Sequence, residues 1–273
     1  MINNPYKLLV IDIDGTLLGE NGSISVEDRN ALARACDLGI EVSLSTGRAA
    51  QACLGIISQL SLNNYHIFFD GALVSNPNHG KEVYVQPINK MIVRQAIEFA
   101  HLNEISLELY STTHYFAEQE TWSTQAHRQY FGIEPTLVDF TGLWNRERII
   151  KGGLAVTSSQ EAAKVSSFRL QFEGSLYFSV ARSPAYPGVD FFNIVAPEVS
   201  KGEALLALTS HLRIPLTEVI AIGDGANDIP LLSSAGLAIA MQNAPNEVKA
   251  VADYVTLDVD HSGVAEAINK FLL

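Results

Sequence analysis

The amino-acid sequence predicts an α/β protein, a doubly wound parallel sheet into which a smaller α+β unit is inserted. Three observations lead there. Short apolar runs alternate with helix-patterned stretches at the start of the chain, and the same alternation returns near its end. The middle differs, with alternating strand-like stretches close enough to pair and helices between them.

Residues 7–13 form a continuous apolar run of strand length, typical of a strand covered on both faces. Residues 26–38 have helical spacing, follow Ser25 (an N-cap type) and stop at Gly39. A second buried strand is expected over 40–45, a second helix over 48–60 and a third strand over 66–70. Near the end, 201–212 read as a helix, 219–222 as a strand and 227–233 as a short helix. Pro230 falls in the first turn of that helix, where its missing N–H has no partner to lose. A strand over 237–241, a helix over 245–250, a strand over 254–257 and a last helix over 262–272 complete the pattern. Such alternation calls for parallel strands joined by right-handed crossovers. In the middle, 106–110 and 114–117 suit a hairpin, while 91–101 and 162–168 read as helices. The expected boundaries are 1–82 and 191–273 for the two parts of the core and 83–190 for the insertion.

Composition narrows the function classes. The chain has 273 residues, 47% apolar and 18% charged, which suits a well-buried core and argues against disorder. Thirty acids against eighteen bases give a charge of −12 with no Lys/Arg cluster, so nucleic acid and anionic membrane are poor partners. An anionic substrate therefore needs local positive charge. Cys36 and Cys53 lie in helix-patterned segments, read as core residues, and fit a reducing setting rather than a disulfide framework. No basic n-region opens the chain and no apolar run reaches membrane-spanning length, so a cytoplasmic location is expected.

The sharpest signal is Asp12-Ile13-Asp14-Gly15-Thr16 at the end of the first buried strand, where open parallel sheets bind ligands. At roughly 4 Å and an effective dielectric near 20, a like-charge pair costs about 4 kcal/mol. A hard divalent cation removes that penalty, and Mg2+ favours oxygen ligands. Alone, Asp-Gly-Thr could be just a turn. A second acidic loop, Gly223-Asp224-Gly225-Ala226-Asn227-Asp228, follows another buried strand and weakens that possibility. Ser45-Thr46-Gly47-Arg48 ends the second strand and offers a hydroxyl and backbone N–H groups for a phosphate, although Arg48 could equally pair with a surface acid. Lys201-Gly202 opens a helix after Ser200 and can balance carboxylate charge.

Together, in this order, these four segments resemble the haloacid dehalogenase superfamily of phosphotransferases. The large insertion and the Gly-Asp-Gly-x-Asn-Asp loop are similar to its Cof-type branch, whose type IIB α/β cap lies between the second and third motifs. The resemblance spans the whole chain. It implies a Rossmann-like core and a Mg2+-dependent phosphatase acting on a small phosphorylated metabolite, a sugar phosphate or a cofactor-type phosphate. It makes Asp12 the nucleophile, while Asp14 protonates the leaving oxygen, activates water and offers its backbone carbonyl to the metal. Asp224 completes the protein ligands, with Asp228 helping to hold the metal or its waters. Thr46 and Lys201 contact the phosphoryl group, Asn227 lies near it, and Gly15, Gly47 and Arg48 belong to the phosphate-binding loops. One departure is Asp70-Gly71-Ala72, where related sequences often carry Asn-Gly; Asp keeps such a turn, and its charge could also alter substrate choice.

Rival readings are a phosphomutase and a non-catalytic module that binds a phosphorylated metabolite. A dehalogenase has no need of Asp14, and an ion-pumping ATPase requires membrane spans. In the insertion, Tyr110, Tyr115, Trp122, Arg182 and Tyr186 suit sugar or heterocycle recognition, but each suits packing or the surface as well.

Overall fold

In the computed structural model, which describes residues 4–19, 22–181 and 186–273, the first apolar run becomes β1 (Leu8–Asp12), buried at every position. The strands that follow are β2 (Glu41–Ser45), β3 (His66–Phe68), β4 (Leu73–Asn76) and β5 (Lys81–Val85). The middle of the chain supplies β6 (Glu108–Tyr110), β7 (Tyr115–Ala117), β8 (Thr136–Leu137), β9 (Lys151–Val156), β10 (Tyr177–Ala181) and β11 (Asp190–Val195). The last third supplies β12 (Val219–Gly223), β13 (Leu237–Ala240) and β14 (Tyr254–Val255). The helices are α1 (Val26–Asp37), α2 (Leu54–Gln59), α3 (Lys90–Leu102), α4 (Trp122–Phe131), α5 (Leu143–Arg146), α6 (Ser159–Gln171), α7 (Lys201–Leu212), α8 (Ile229–Ser234), α9 (Asn246–Lys249) and α10 (Gly263–Phe271). No helix among the described residues is long and apolar enough to cross a membrane.

The chain divides into two compact units, Met1–Arg48 with Cys53–Tyr84 and Ser200–Leu273, and Ala49–Ala52 with Val85–Val199. The first unit is built on an eight-stranded sheet in the order β14-β13-β12-β1-β2-β3-β4-β5. From β14 to β3 every pair is parallel. β1 lies between β2 and β12, so chain order reverses there, the position at which open parallel sheets bind ligands. On one face Leu8, Val10, Val219 and Ala221 pack with Leu205 and Leu208 of α7 and Leu231 and Leu232 of α8. Residues of the other parity, Leu9, Ile11, Val42, Leu44, Ile220 and Ile222, are also buried. Each such Leu or Ile contributes about 1.5–3 kcal/mol relative to exposure. The helices α1 and α10 pack on each other, and buried Asp28 of α1 joins them. Its Oδ1 accepts the Ala265 N–H at 2.7 Å, capping α10 from outside because Ser262, at φ 55, offers no side-chain cap.

Three local expectations are corrected. The helix over 48–60 is instead a 3-10 turn, Ala50–Cys53, followed by α2. The backbone of Arg48 is engaged elsewhere: its N–H donates to Thr46 Oγ1 (3.1 Å) and its carbonyl accepts from Phe69 (3.1 Å). The third strand stops at Phe68, because Phe69 (φ 53) and Asp70 (φ 56) are left-handed, which costs roughly 1–2 kcal/mol per residue and no strand accommodates. Two unexpected strands then extend the sheet, β4 pairing antiparallel with β3. Cys53 is buried, and burial pushes its thiol up to about 12; Cys36, expected in the core, is exposed on α1.

The inserted unit has a six-stranded sheet, β10-β11-β9-β6-β7-β8. β6 and β7 form the expected hairpin, with Tyr110 opposite Tyr115. Alternation sends Leu109, Phe116, Leu154 and Ile194 into one apolar cluster with Val93, Ile97 and Ala100 of α3 and Val165 and Phe168 of α6. Tyr110 and Tyr115 are buried and stacked at 4.7 Å, and Trp122 packs against Tyr186 and Phe191. Arg182 lies outside the described residues.

Candidate active site

β12, β1 and β2 are neighbours in the sheet, so their carboxyl ends bring three loops together. Register sets Asp12 opposite Ser45 and Ile11 opposite Ile222. The fourth component arrives on α7, whose N-cap Ser200 accepts the Glu203 N–H at 3.1 Å and fixes Lys201 in the first turn.

Lys201 is fully buried. Its Nζ lies 2.6 Å from Asp12 Oδ1 and 2.6 Å from Asp228 Oδ1, and donates also to the Ser45 carbonyl at 3.3 Å. Asp228 in turn accepts the N–H groups of Asp224 (3.0 Å) and Gly225 (2.9 Å) on Oδ2. It therefore braces its own loop while holding Lys201. Oxygens of Asp12, Asp224 and Asp228 all lie within 4.8 Å of one another.

Charge in this group does not balance, since three carboxylates face one ammonium. Burial, then the charge of Asp228, holds the Asp12 carboxyl well above its ordinary value against the pull of Lys201. Burial likewise pushes Asp224 up to about 6, opposed by the Thr16 hydroxyl, which donates to Asp224 Oδ1 at 2.8 Å. For Lys201, burial disfavours the charge, but Asp12 and Asp228, with Asp70 farther off, outweigh it and raise its pKa. An all-oxygen donor set carrying two surplus negative charges suits a hard divalent cation.

The other expected residues are placed as follows. Asp14 is exposed, and its carboxylate is outside the three-acid group. Arg48 holds it, Nε donating to Oδ2 at 2.8 Å and Nη2 to Oδ1, so the acid that Arg48 pairs with is an exposed one of the first acidic loop. Gly15 has φ +87, and a Cβ there would fall 2.3 Å from Asp224 Oδ2, so only glycine fits. Thr46 is buried beside Arg48, with its N–H on the Ile67 carbonyl at 2.9 Å. Gly47 lies under the Asp70 carboxylate, and exposed Asn227 donates to Asp70 Oδ1 at 2.8 Å.

Two contributors went unnoticed in the sequence. Thr16 stood inside the first motif without a role. Asn243 donates through Nδ2 to the Gly15 carbonyl (2.8 Å) and to Asp224 Oδ2 (3.3 Å), while its Oδ1 accepts the Val259 N–H (3.1 Å). It follows β13, the next parallel strand, and the rule that ligands gather at such strand ends could have found it.

Relatives in sequence and in structure define the chain as a hydrolase of phosphoric monoesters. A family model described as haloacid dehalogenase-like hydrolase matches residues 9–268, and the chain belongs to that family, in its Cof-type branch. It is 30% identical to phosphatase YwpJ of Bacillus subtilis (strain 168), over 97% of this chain and 100% of that one. With the 5-amino-6-(5-phospho-D-ribitylamino)uracil phosphatase YcsE of the same organism it shares 28% identity over 98% of this chain and 96% of the relative. Among solved structures, the subclass IIB sugar phosphatase BT4131 superposes with a TM-score of 0.77 at 25% identity, covering 97% of this chain and 98% of that one.

Proposed function

We propose that the protein hydrolyses a small phosphorylated metabolite through a phosphorylated Asp12, with Mg2+ as its cation. The observation that carries this reading is the buried Lys201 bridging Asp12 and Asp228 beside Asp224, a group short of two positive charges. Asp12, Asp224 and the Asp14 backbone carbonyl would hold the ion, with Asp228 behind them. Once bound it polarises phosphoryl oxygens and offsets charge on the in-line transition state.

The remaining chemistry falls to the side chains. Lys201 fixes Asp12 Oδ1, leaving Oδ2 to form a bond to phosphorus as the bond to the alcohol oxygen breaks. Asp14 leaves Arg48, takes up a proton from solvent and gives it to the departing oxygen. It then takes a proton from the water that attacks the acyl phosphate, which releases inorganic phosphate and restores Asp12. The Thr46 hydroxyl binds a phosphoryl oxygen throughout, and the Lys201 ammonium binds another by giving up the Ser45 carbonyl, its longest contact at 3.3 Å. The substrates named for relatives, a ribitylamino-uracil phosphate and sugar phosphates, support a metabolite of similar size.

The test is release of phosphate from an aryl phosphate and a panel of metabolite monoesters, with and without Mg2+. Turnover is expected only with the metal, and Asp12→Asn should lower it about 10⁴-fold or more while circular dichroism stays unchanged. Activity retained by Asp12→Asn would remove the nucleophile. Absence of metal-dependent turnover across the whole panel would favour a binding module.

A further inference from the structure

Asp70 sits where the loop after β2 meets the loop after β12. Its backbone N–H donates to the Thr46 carbonyl at 3.0 Å and its neighbour Phe69 donates to Arg48, so this turn runs alongside residues 46–48. The carboxylate lies over Gly47, where an added Cβ would meet Oδ1 and Oδ2 at 2.9 and 3.0 Å. From the far side Asn227 donates to Oδ1 at 2.8 Å.

The turn does not require the charge. At φ 56 and ψ 21 the backbone is left-handed, a region that Asn enters as readily as Asp. An Asn at this position would also keep the oxygen that Asn227 uses. Of the other rim and floor acids, Asp12 and Asp228 share Lys201 and Asp14 has Arg48, while Asp224 makes no ion pair and belongs to the three-acid group that suits a cation. Among the described residues Asp70 makes no ion pair, and its side-chain donor is a neutral amide. It is only partly buried, so its field reaches whatever sits above Gly47.

The geometry points to Asp70 as a specificity-determining residue that selects substrates by the charge carried near the phosphate. Hydroxyl-bearing or amine-bearing groups are accepted, and a second anionic group is turned away. Resting on the phosphatase reading above, this names the substrate class as phosphate monoesters of polyols or amino alcohols rather than of phosphorylated acids. A unit charge about 8 Å away, at an effective dielectric of about 40, changes kcat/KM about fivefold.

Asp70→Asn isolates the charge while keeping the turn and the Asn227 contact. Three esters of similar size probe it: O-phosphoethanolamine with an ammonium, glycerol 3-phosphate with hydroxyls, and 3-phosphoglycerate with a carboxylate. Relative to glycerol 3-phosphate, the variant should gain about fivefold on 3-phosphoglycerate and lose a similar factor on O-phosphoethanolamine. Both shifts should shrink between about 0.05 M and about 0.5 M salt, since the residue is partly exposed. Using ratios cancels any general loss of catalytic power. Ratios that agree within about twofold between wild type and variant overturn the inference. If none of the three esters is turned over, the same ratios are read as calorimetric dissociation constants. The phosphatase reading then fails for these esters, while the role of Asp70 is still decided.

Discussion

Each unit of the molecule buries a cluster of polar side chains, and the two clusters are finished differently. In the first unit Lys201 is held at 2.6 Å by two carboxylates, and the free oxygen of Asp228 takes two backbone N–H groups. In the inserted unit buried Glu108 accepts the Tyr110 hydroxyl at 3.2 Å through Oε2. His127 Nδ1 comes no nearer than 3.5 Å to that oxygen and points its proton to the Ser123 carbonyl at 2.9 Å. Among the described residues Glu108 Oε1 and the Tyr115 hydroxyl make no well-formed hydrogen bond, although that hydroxyl lies near both Glu108 and Tyr110. The first cluster thus has the hydrogen bonds of its lysine and of Asp228 made, with only the Ser45 hydroxyl left over among the described residues, and its charge unbalanced, which asks for a cation. The second has a single acid and unmade hydrogen bonds, which ask for a neutral donor. Incomplete bonding and incomplete charge are different defects, and only the charge deficit calls for an ion.

Removing the ammonium tests the first half of that contrast and carries the largest expected effect on stability. Lys201→Met strands Asp12 and Asp228 in the interior, and stability should fall by about 3–5 kcal/mol near neutral pH. Phosphatase activity should be lost with it. The deficit should narrow in acid, where protons neutralise the stranded carboxylates. Urea denaturation at about pH 7 and about pH 5 reads both effects, and a loss below about 1 kcal/mol would show that the pair contributes little net energy.

His66 extends the comparison to a lone buried base. Its Nδ1 accepts the Leu44 N–H at 3.1 Å, so Nε2 carries the proton, and that atom is buried with no hydrogen-bond partner among the described residues. Burial lowers its pKa to about 4. The unfolded chain binds the proton near 6.5, so stability is complete above that pH and is lost as pH falls towards 4. The loss amounts to about 3 kcal/mol, and it should vanish in His66→Leu when the two proteins' denaturation midpoints are compared across that range. Parallel pH profiles would mean that His66 binds its proton as readily in the fold as in the unfolded chain.

How much of this was legible in the sequence depended on the range of the interactions. β1, α1 and α7 announce themselves because an apolar run, Ser25, Gly39 and Ser200 act within a turn of where they stand. The acids around Lys201 were legible because a carboxyl-end position on a buried strand is itself a local pattern. By contrast, the Arg48–Asp14 pair joins residues 34 apart and the Asn227–Asp70 bond residues 157 apart, and no local pattern encodes either. The same holds for Asn243 reaching Gly15 across 228 residues. β4 and β5 escaped notice because they are short and hold an edge, where β5 exposes Lys81 and Glu82 instead of showing a buried run. The helix over 48–60 was misplaced because the Thr46 hydroxyl and Phe69 claim the backbone of Arg48, a competition that apolar spacing cannot reveal.

The smallest expected effect tests the second half of the contrast. In Glu108→Gln the buried charge goes, the oxygen that receives Tyr110 stays, and an amide N–H₂ can replace the partnerless Oε1. The Tyr115 hydroxyl, whose pKa burial and the nearby Glu108 charge both raise, is then the acceptor at hand. Filling an unmade bond while removing a buried charge should stabilise the unit by about 1 kcal/mol. In a chain of this size that raises the melting temperature by roughly 2–4 °C. The equivalent neutralisation of Asp228 should do the opposite, because its charge is matched to an ammonium and two N–H groups. A melting temperature that drops in Glu108→Gln as far as in Asp228→Asn would mean that the acid of the inserted unit is as fully partnered as those of the core, and the contrast between the two clusters would collapse.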